Sequence, residues 1–288
     1  MSVNKLTPVQ RPGANAARTP LAPPSRPAAP PLAAHHRPGL RVAAVALALR
    51  RAARRWSFVE PEVAGLRAVV GPGSVCLDIG AEYGLYTWTL AALAGPDGQV
   101  HSVEPLPGPA GWLNGLRVLL GCRSVTVHRT ALGQRAHRGT MSLPRRRLLP
   151  VHGRAYLTDG AAGPGPNAEF ARSRPVRTEV RTVDGLCREV GLERVDFIKA
   201  DVEGAEPAVL SGARHTLLRD RPALLLEIED RHLAKYGVSA AELVRRLTAL
   251  EYAMYRWQDG GWVQVAEVTE DCRNYLFSAR ALARQRRS

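Results

Sequence analysis

Three short apolar runs constrain this chain more than any other feature of its sequence. Val75–Ile79, Val195–Lys199 and Ala223–Ile228 are each too short for a buried helix, and turn or charged residues bound them. Such runs are strands covered on both faces, the situation inside a parallel sheet. Around them lie segments with helical spacing: Leu85–Leu93, about Pro109 to Leu120, Val183–Val190, Ala205–Leu218 and Ala240–Leu250. Val100–Val103 and Val125–His128 read as two more strands, and Val176–Val180 alternates like one. Strands alternating with helices predict an α/β fold with a doubly wound, mostly parallel sheet. Tyr252–Trp257, Trp262–Val265 and Tyr275–Ser278 come close together and are expected to close the sheet, pairing antiparallel.

The 288 residues suit one such domain with terminal additions. Residues 1–39 are rich in Pro, Ala and Arg and hold no acid, so they are expected to form a disordered leader. Residues 40–72 read as a helical segment, with Val42–Leu49 followed by Arg50, Arg51, Arg54 and Arg55. The main domain is expected over 73–278 and a basic tail over 279–288. Val42–Leu49 is far shorter than the roughly 20 residues a membrane span needs. Residues 144–175 are rich in Arg, Gly and Pro and read as an irregular loop, either a cover over a substrate or a solvated insert. The net charge of +14 reflects Arg used throughout the chain, with a nucleic-acid or membrane partner as the alternative reading. Cys76, Cys122, Cys187 and Cys272 form no C-x-x-C pair and sit at no metal-ligand spacing. They are expected to be reduced thiols of a cytoplasmic enzyme that needs no metal. Nothing in the sequence sets an oligomeric state.

Three sites carry chemistry. Asp78-Ile79-Gly80-Ala81-Glu82-Tyr83-Gly84 follows the first core strand and opens a helix. Glycine there permits a tight turn and close backbone approach of a ligand. The middle glycine of a dinucleotide-binding turn is missing and Glu82 stands within it, which disfavours a pyrophosphate. The ammonium and carboxylate of the amino-acid end of S-adenosylmethionine fit better. Glu104, about 20 residues on at the end of the next strand, is placed to accept ribose hydroxyls. Lys199-Ala200-Asp201-Val202-Glu203-Gly204-Ala205-Glu206 then places three acids at the carboxyl end of a buried strand, where ligands of open α/β sheets bind. Acids also stabilise helix starts, an account that covers Glu206 better than Asp201.

These segments carry a resemblance. Asp78-Ile79-Gly80-Ala81-x-x-Gly84-x-Tyr86-Thr87, Val103-Glu104-Pro105, Ala131-Leu132-Gly133, Thr182-Val183-Asp184-Gly185-Leu186, the stretch Val195 to Glu206, Leu226-Glu227-Ile228 and Asn274-Tyr275-Leu276-Phe277 are similar to the FkbM family of methyltransferases. The resemblance implies a Rossmann-like class I methyltransferase fold, with a mostly parallel seven-stranded sheet and helices on both faces. It implies S-adenosylmethionine as cofactor, and O-methylation of a hydroxyl on a sugar or secondary metabolite. It assigns Asp78, Gly80, Ala81, Gly84 and Glu104 to cofactor binding, puts Thr130 and Ala131 near the adenine, and puts Asp201 near the transferred methyl. Two positions depart from the family pattern: Glu82 stands where Asn is frequent, and Ala200 replaces a larger apolar residue.

A base must take the acceptor's proton, and Asp201 is the first candidate, with Glu203 beside it and Glu227 and His232 behind. The expected partner is a small hydroxylated molecule, with no stable nucleic-acid complex and no transmembrane segment. An RNA methyltransferase and a non-catalytic S-adenosylmethionine-binding protein are the rival readings.

Overall fold

The computed structural model describes residues 39–55 and 60–282. The expected leader lies, apart from Gly39, outside the described residues, and so do residues 283–288 of the tail.

Helix α1 (Leu40–Arg55) and a 3-10 segment (Pro61–Ala68) lead into β1 (Val75–Ile79), α2 (Leu85–Ala94), β2 (Gln99–Val103), α3 (Pro107–Leu120) and β3 (Val125–His128). Next come five strands: β4 (Ala131–Leu132), β5 (His137–Arg146), β6 (Leu149–Pro150), β7 (Tyr156–Leu157) and β8 (Arg172–Arg181). The chain continues through α4 (Val183–Glu189), β9 (Phe197–Ala200), α5 (Glu206–Ser211), α6 (Arg214–Asp220), β10 (Ala223–Glu227), α7 (Asp230–Leu233) and α8 (Ala240–Thr248). It ends on β11 (Ala253–Gln258), β12 (Gly261–Val265) and β13 (Asn274–Ser278).

The main sheet runs β12-β11-β13-β10-β9-β1-β2-β3. From β3 to β10 every pairing is parallel, and β13, β11 and β12 are added antiparallel. Every residue of β1 and β9 is buried, which is why their sequences are apolar apart from Asp78 and Lys199. One apolar layer joins Leu77 and Ile198 to Leu186, Leu217 and Leu243 of α4, α6 and α8. The other joins Cys76 and Phe197 to Val42, Leu66, Leu90 and Leu113 of α1, the 3-10 segment, α2 and α3. Helices thus cover both faces, as expected.

Four expectations need correction. The sheet has eight strands, not seven, because Asp259-Gly260 turns the chain at positive φ and hairpins β12 onto β11. The expected strand Val176–Val180 is longer and lies in a second sheet, β4-β8-β5-β6 with β7 on β5. Within 144–175, residues 144–146, 149–150, 156–157 and 172–175 are therefore strand. Its prolines masked it: Pro175 falls where β8 has no outer neighbour, since β4 reaches only Val180 and Arg181. The single helix expected over Ala205–Leu218 is broken in two. A Cβ at Gly212 would lie 2.2 Å from the Gly133 carbonyl oxygen, and Asp184 caps the restart by accepting from the N–H groups of His215 and Thr216 at 2.9 Å each.

Candidate active site

Each parallel strand of the main sheet ends on the same side, and the loops that follow converge there. A cleft opens among them. Gly80, Glu82, Glu104, Thr130, Ala131, Asp201 and Glu203 line it, with His152 and Gly153 contributed by the second sheet's connection. Gly80, Glu104, Thr130, Ala131, Asp201 and Glu203, expected to bind cofactor or act on the acceptor, thus meet in one place, whereas Asp78, Ala81, Gly84, Glu227 and His232 do not line it.

Gly80 is held at φ +76, and its amide donates to the Val103 carbonyl at 3.0 Å. A Cβ there would lie 1.9 Å from the Asp201 carbonyl oxygen, so only glycine lets the two loops cross. Glu104 is buried and accepts from the amides of Glu82 at 3.0 Å and Leu106 at 2.8 Å. A carboxylate offers about four acceptor positions, so two remain for hydroxyl donors. Burial pushes its carboxyl up to about 7, against the pull of those amides. Thr130 is buried, and its hydroxyl donates to the Glu179 carbonyl at 2.8 Å, so that hydroxyl serves the second sheet.

Three residues expected to bind cofactor do not line the cleft. Ala81 is buried beneath the turn. Gly84 starts α2 at φ +91 with Trp88 and Leu113 where a side chain would be, so packing alone demands it. Asp78 is fully buried, and its Oδ2 accepts from the Thr87 hydroxyl at 2.6 Å. Its Oδ1 has no hydrogen-bond partner among the described residues.

The β1–β9 register puts Asp78 opposite Lys199. Lys199 is a lone cation on a buried strand. Burial alone would lower it, but Asp201, Asp78 and Glu60 outweigh that and hold it above its ordinary value. Its Nζ lies 3.0 Å from Asp201 Oδ2 and 5.0 Å from the centre of the Tyr86 ring. Burial opposes ionisation of Asp201, yet the Lys199 ammonium prevails and keeps this carboxyl below its usual range. Glu227 at the end of β10 shows the opposite shift. Burial first, then the charges of Asp201, Glu206 and Glu203, push it well up.

Glu203 adopts φ +58 and its side chain is buried. Its Oε2 lies 2.6 Å from His232 Nδ1, while Arg154 Nη1 lies 3.1 Å from His232 Nε2. Lys235 Nζ also lies 3.5 Å from His232 Nδ1, so each ring nitrogen has a cationic side chain beside it. Glu203 is thereby tied to His232 and to Arg154, which it meets at 3.7 Å. Glu206 accepts from the amides of Val202 and Gly204, the helix-start role expected of it. Lys199, Arg154 and His152 were given no role from sequence. Lys199 had a signal, a charge inside an apolar strand; the other two stand in an Arg-rich stretch with nothing to distinguish them.

The cleft suits S-adenosylmethionine. Glu82, Glu104, Asp201 and Glu203 surround it with carboxylates, which favour a sulfonium and an ammonium over a pyrophosphate. Burial and the charge of Asp201 raise the Glu82 carboxyl, so that added negative charge is costly and a cation relieves it. Among the described residues no group of His, Cys, Asp and Glu is arranged to hold a metal ion.

A doubly wound sheet with this cleft at its carboxyl edge defines a class I, S-adenosylmethionine-dependent methyltransferase. The model of the FkbM methyltransferase domain matches residues 78–256, well over half of the chain. The chain therefore belongs to the FkbM methyltransferase family. It is 41% identical over 59 residues to the 2-O-methyltransferase NoeI of Sinorhizobium fredii, which is 20% of this chain and 24% of that protein. It is 27% identical over 211 residues to the AMB antimetabolite synthetase AmbE of Pseudomonas aeruginosa, 62% of this chain and 10% of that one. The chain thus spans at most a quarter of either relative. An FkbM methyltransferase structure from Methylobacillus flagellatus covers 83% of this chain and 60% of its own, at 15% identity and a TM-score of 0.44. A SAM-dependent O-methyltransferase from Thermotoga maritima covers 82% and 72%, at 13% identity and a TM-score of 0.42. Among the described residues no helix is long and apolar enough to cross a membrane.

Proposed function

We propose that the chain methylates a hydroxyl oxygen of a small molecule, a sugar or a secondary metabolite, with Asp201 taking the acceptor's proton. The observation that carries this reading is the carboxylate of Asp201 at the cleft wall, 3.0 Å from the Lys199 ammonium. Bound S-adenosylmethionine supplies an electrophilic methyl group. Gly80 and Glu104 bind and orient the cofactor, and Thr130 and Ala131 border its adenine. Asp78, Ala81 and Gly84 fix the shape of the turn from beneath.

An alcohol oxygen becomes strongly acidic as it gains a third bond, to the methyl carbon, while the carbon–sulfur bond breaks, so a carboxylate of low basicity suffices to take its proton. Asp201 also orients the hydroxyl by accepting its hydrogen bond, and such positioning supplies much of the rate of an in-line displacement. Glu203 is held by His232 and Arg154, which makes it a positioning residue for this loop rather than a second base. The 2-O-methyltransferase NoeI supports oxygen as the methylated atom through its name.

The test is transfer of a radiolabelled methyl group to a panel of sugars and hydroxylated metabolites, with RNA in parallel. Label in a small acceptor, with loss of one hydroxyl, is the expected result. Label in RNA, or on nitrogen or carbon of the acceptor, overturns the proposal. Cofactor binding without transfer to any acceptor would favour a binding protein.

A further inference from the structure

The second sheet ends in a hairpin unlike the rest of the surface. β5 turns into β6 at Arg147 and Leu148, with Arg146 opposite Leu149 and Arg145 opposite Pro150. Leu148 and Leu149 are 74% and 73% exposed, and no described side chain covers them. Arg146 and Arg147 are exposed just below, and the neighbouring strand brings Arg172 opposite Arg145, with Arg174 nearby. Residues 137–158 and 170–178, which make up both strands around this tip, contain no acid.

We propose that this hairpin docks the protein on an anionic lipid surface, the leucines entering the headgroup region and the arginines meeting lipid phosphates. Two exposed leucines at a turn gain nothing from water, and a collar of guanidinium groups matches phosphate geometry. A single-stranded nucleic-acid face would need exposed aromatic side chains to stack on bases; Phe170 here is half-buried with Arg146 over its ring, and the side chains the tip exposes are leucines. The apolar surface continues on α3. Gly108, which faces His152, shares one helix face with Trp112 and Leu119, both exposed. Trp is favoured at membrane–water boundaries. The chain also runs from Leu149 directly into His152 and Gly153 at the cleft rim, so docking brings the mouth of the cleft to the lipid.

The experiment is co-sedimentation of the full chain with vesicles of phosphatidylcholine, with and without phosphatidylglycerol, at low and high salt. The expected result is partitioning that needs the anionic lipid and weakens with salt. The Leu148→Ser, Leu149→Ser double variant should lose at least about tenfold in partitioning, from the apolar area no longer buried. S-adenosylmethionine binding, measured on the same samples, should stay as in the wild type. Three outcomes overturn the proposal: no binding to anionic vesicles, equal binding by the leucine variant, or capture of RNA or acidic proteins with no binding to vesicles. Equal binding by the variant would assign the lipid contact to another part of the chain.

Discussion

The cleft and the β5–β8 ribbon are neighbours with opposite electrostatics. The cleft is lined by Glu82, Glu104, Asp201 and Glu203, and the buried Lys199 is paired with Asp201 behind its wall. The ribbon carries arginines along both strands, and its one acid, Glu179, is already paired with Arg181. A net charge of +14 therefore says nothing about the site, because the positive charge stands outside it. Composition reports the surface, whereas the cofactor is selected by a local field of the other sign.

The most severe way to break this contrast is Lys199→Met. It leaves Asp201 and Asp78 buried without their cation, and removing one partner of a buried ion pair costs about 3–5 kcal/mol. Denaturant unfolding should show that loss, and lowering the pH should recover part of it by protonating the stranded carboxyls. An unfolding midpoint equal to that of the wild type would mean the lysine does not hold the cluster.

Asp201→Asn comes next. Turnover is expected to fall about 10²-fold or more, the range for losing a general base, with cofactor affinity nearly unchanged. Single-turnover rates beside a cofactor titration separate the two. Normal turnover would remove Asp201 from the proton transfer.

Glu104 sharpens the comparison through pH. Its carboxyl is raised to about 7, so the stability it contributes to the ligand-free protein is present below the ordinary carboxylate range and is lost as pH rises through about 7. Cofactor binding has the opposite sign, since ribose hydroxyls and a cation both favour the carboxylate. Calorimetry should find affinity for S-adenosylmethionine rising through that pH, and Glu104→Gln should flatten the rise. A wild-type profile that is already flat would remove Glu104 from the ribose. The smallest effect belongs to the ribbon. Arg138→Gln with Arg177→Gln should leave transfer to a small acceptor and stability unchanged, within about 0.5 kcal/mol for exposed substitutions. A clear loss of small-acceptor turnover would show that the two regions work on one substrate.

Strands β1, β9 and β10 were legible because burial on both faces leaves short, mostly apolar runs, each with a single charged residue. The convergence of Gly80, Glu104 and Asp201 was legible for a topological reason, since each follows the carboxyl end of a parallel strand. The second sheet was not, because Pro144, Pro175 and the arginines of an exposed ribbon look like loop. The pairing of Lys199 with Asp78 depends on the register between strands 120 residues apart, which no local pattern encodes. Arg154 reaches His232 and Glu203 only through the path of the second sheet, which the sequence did not reveal.

The crossing at Gly80 has a consequence for altering the enzyme. With the Asp201 carbonyl filling the space a side chain would take, the turn after β1 and the turn after β9 fit each other as a matched pair. Grafting either one alone from a relative would unseat its mate. Swapping acceptor preference between members of the family should therefore succeed only when both turns travel together as one cassette.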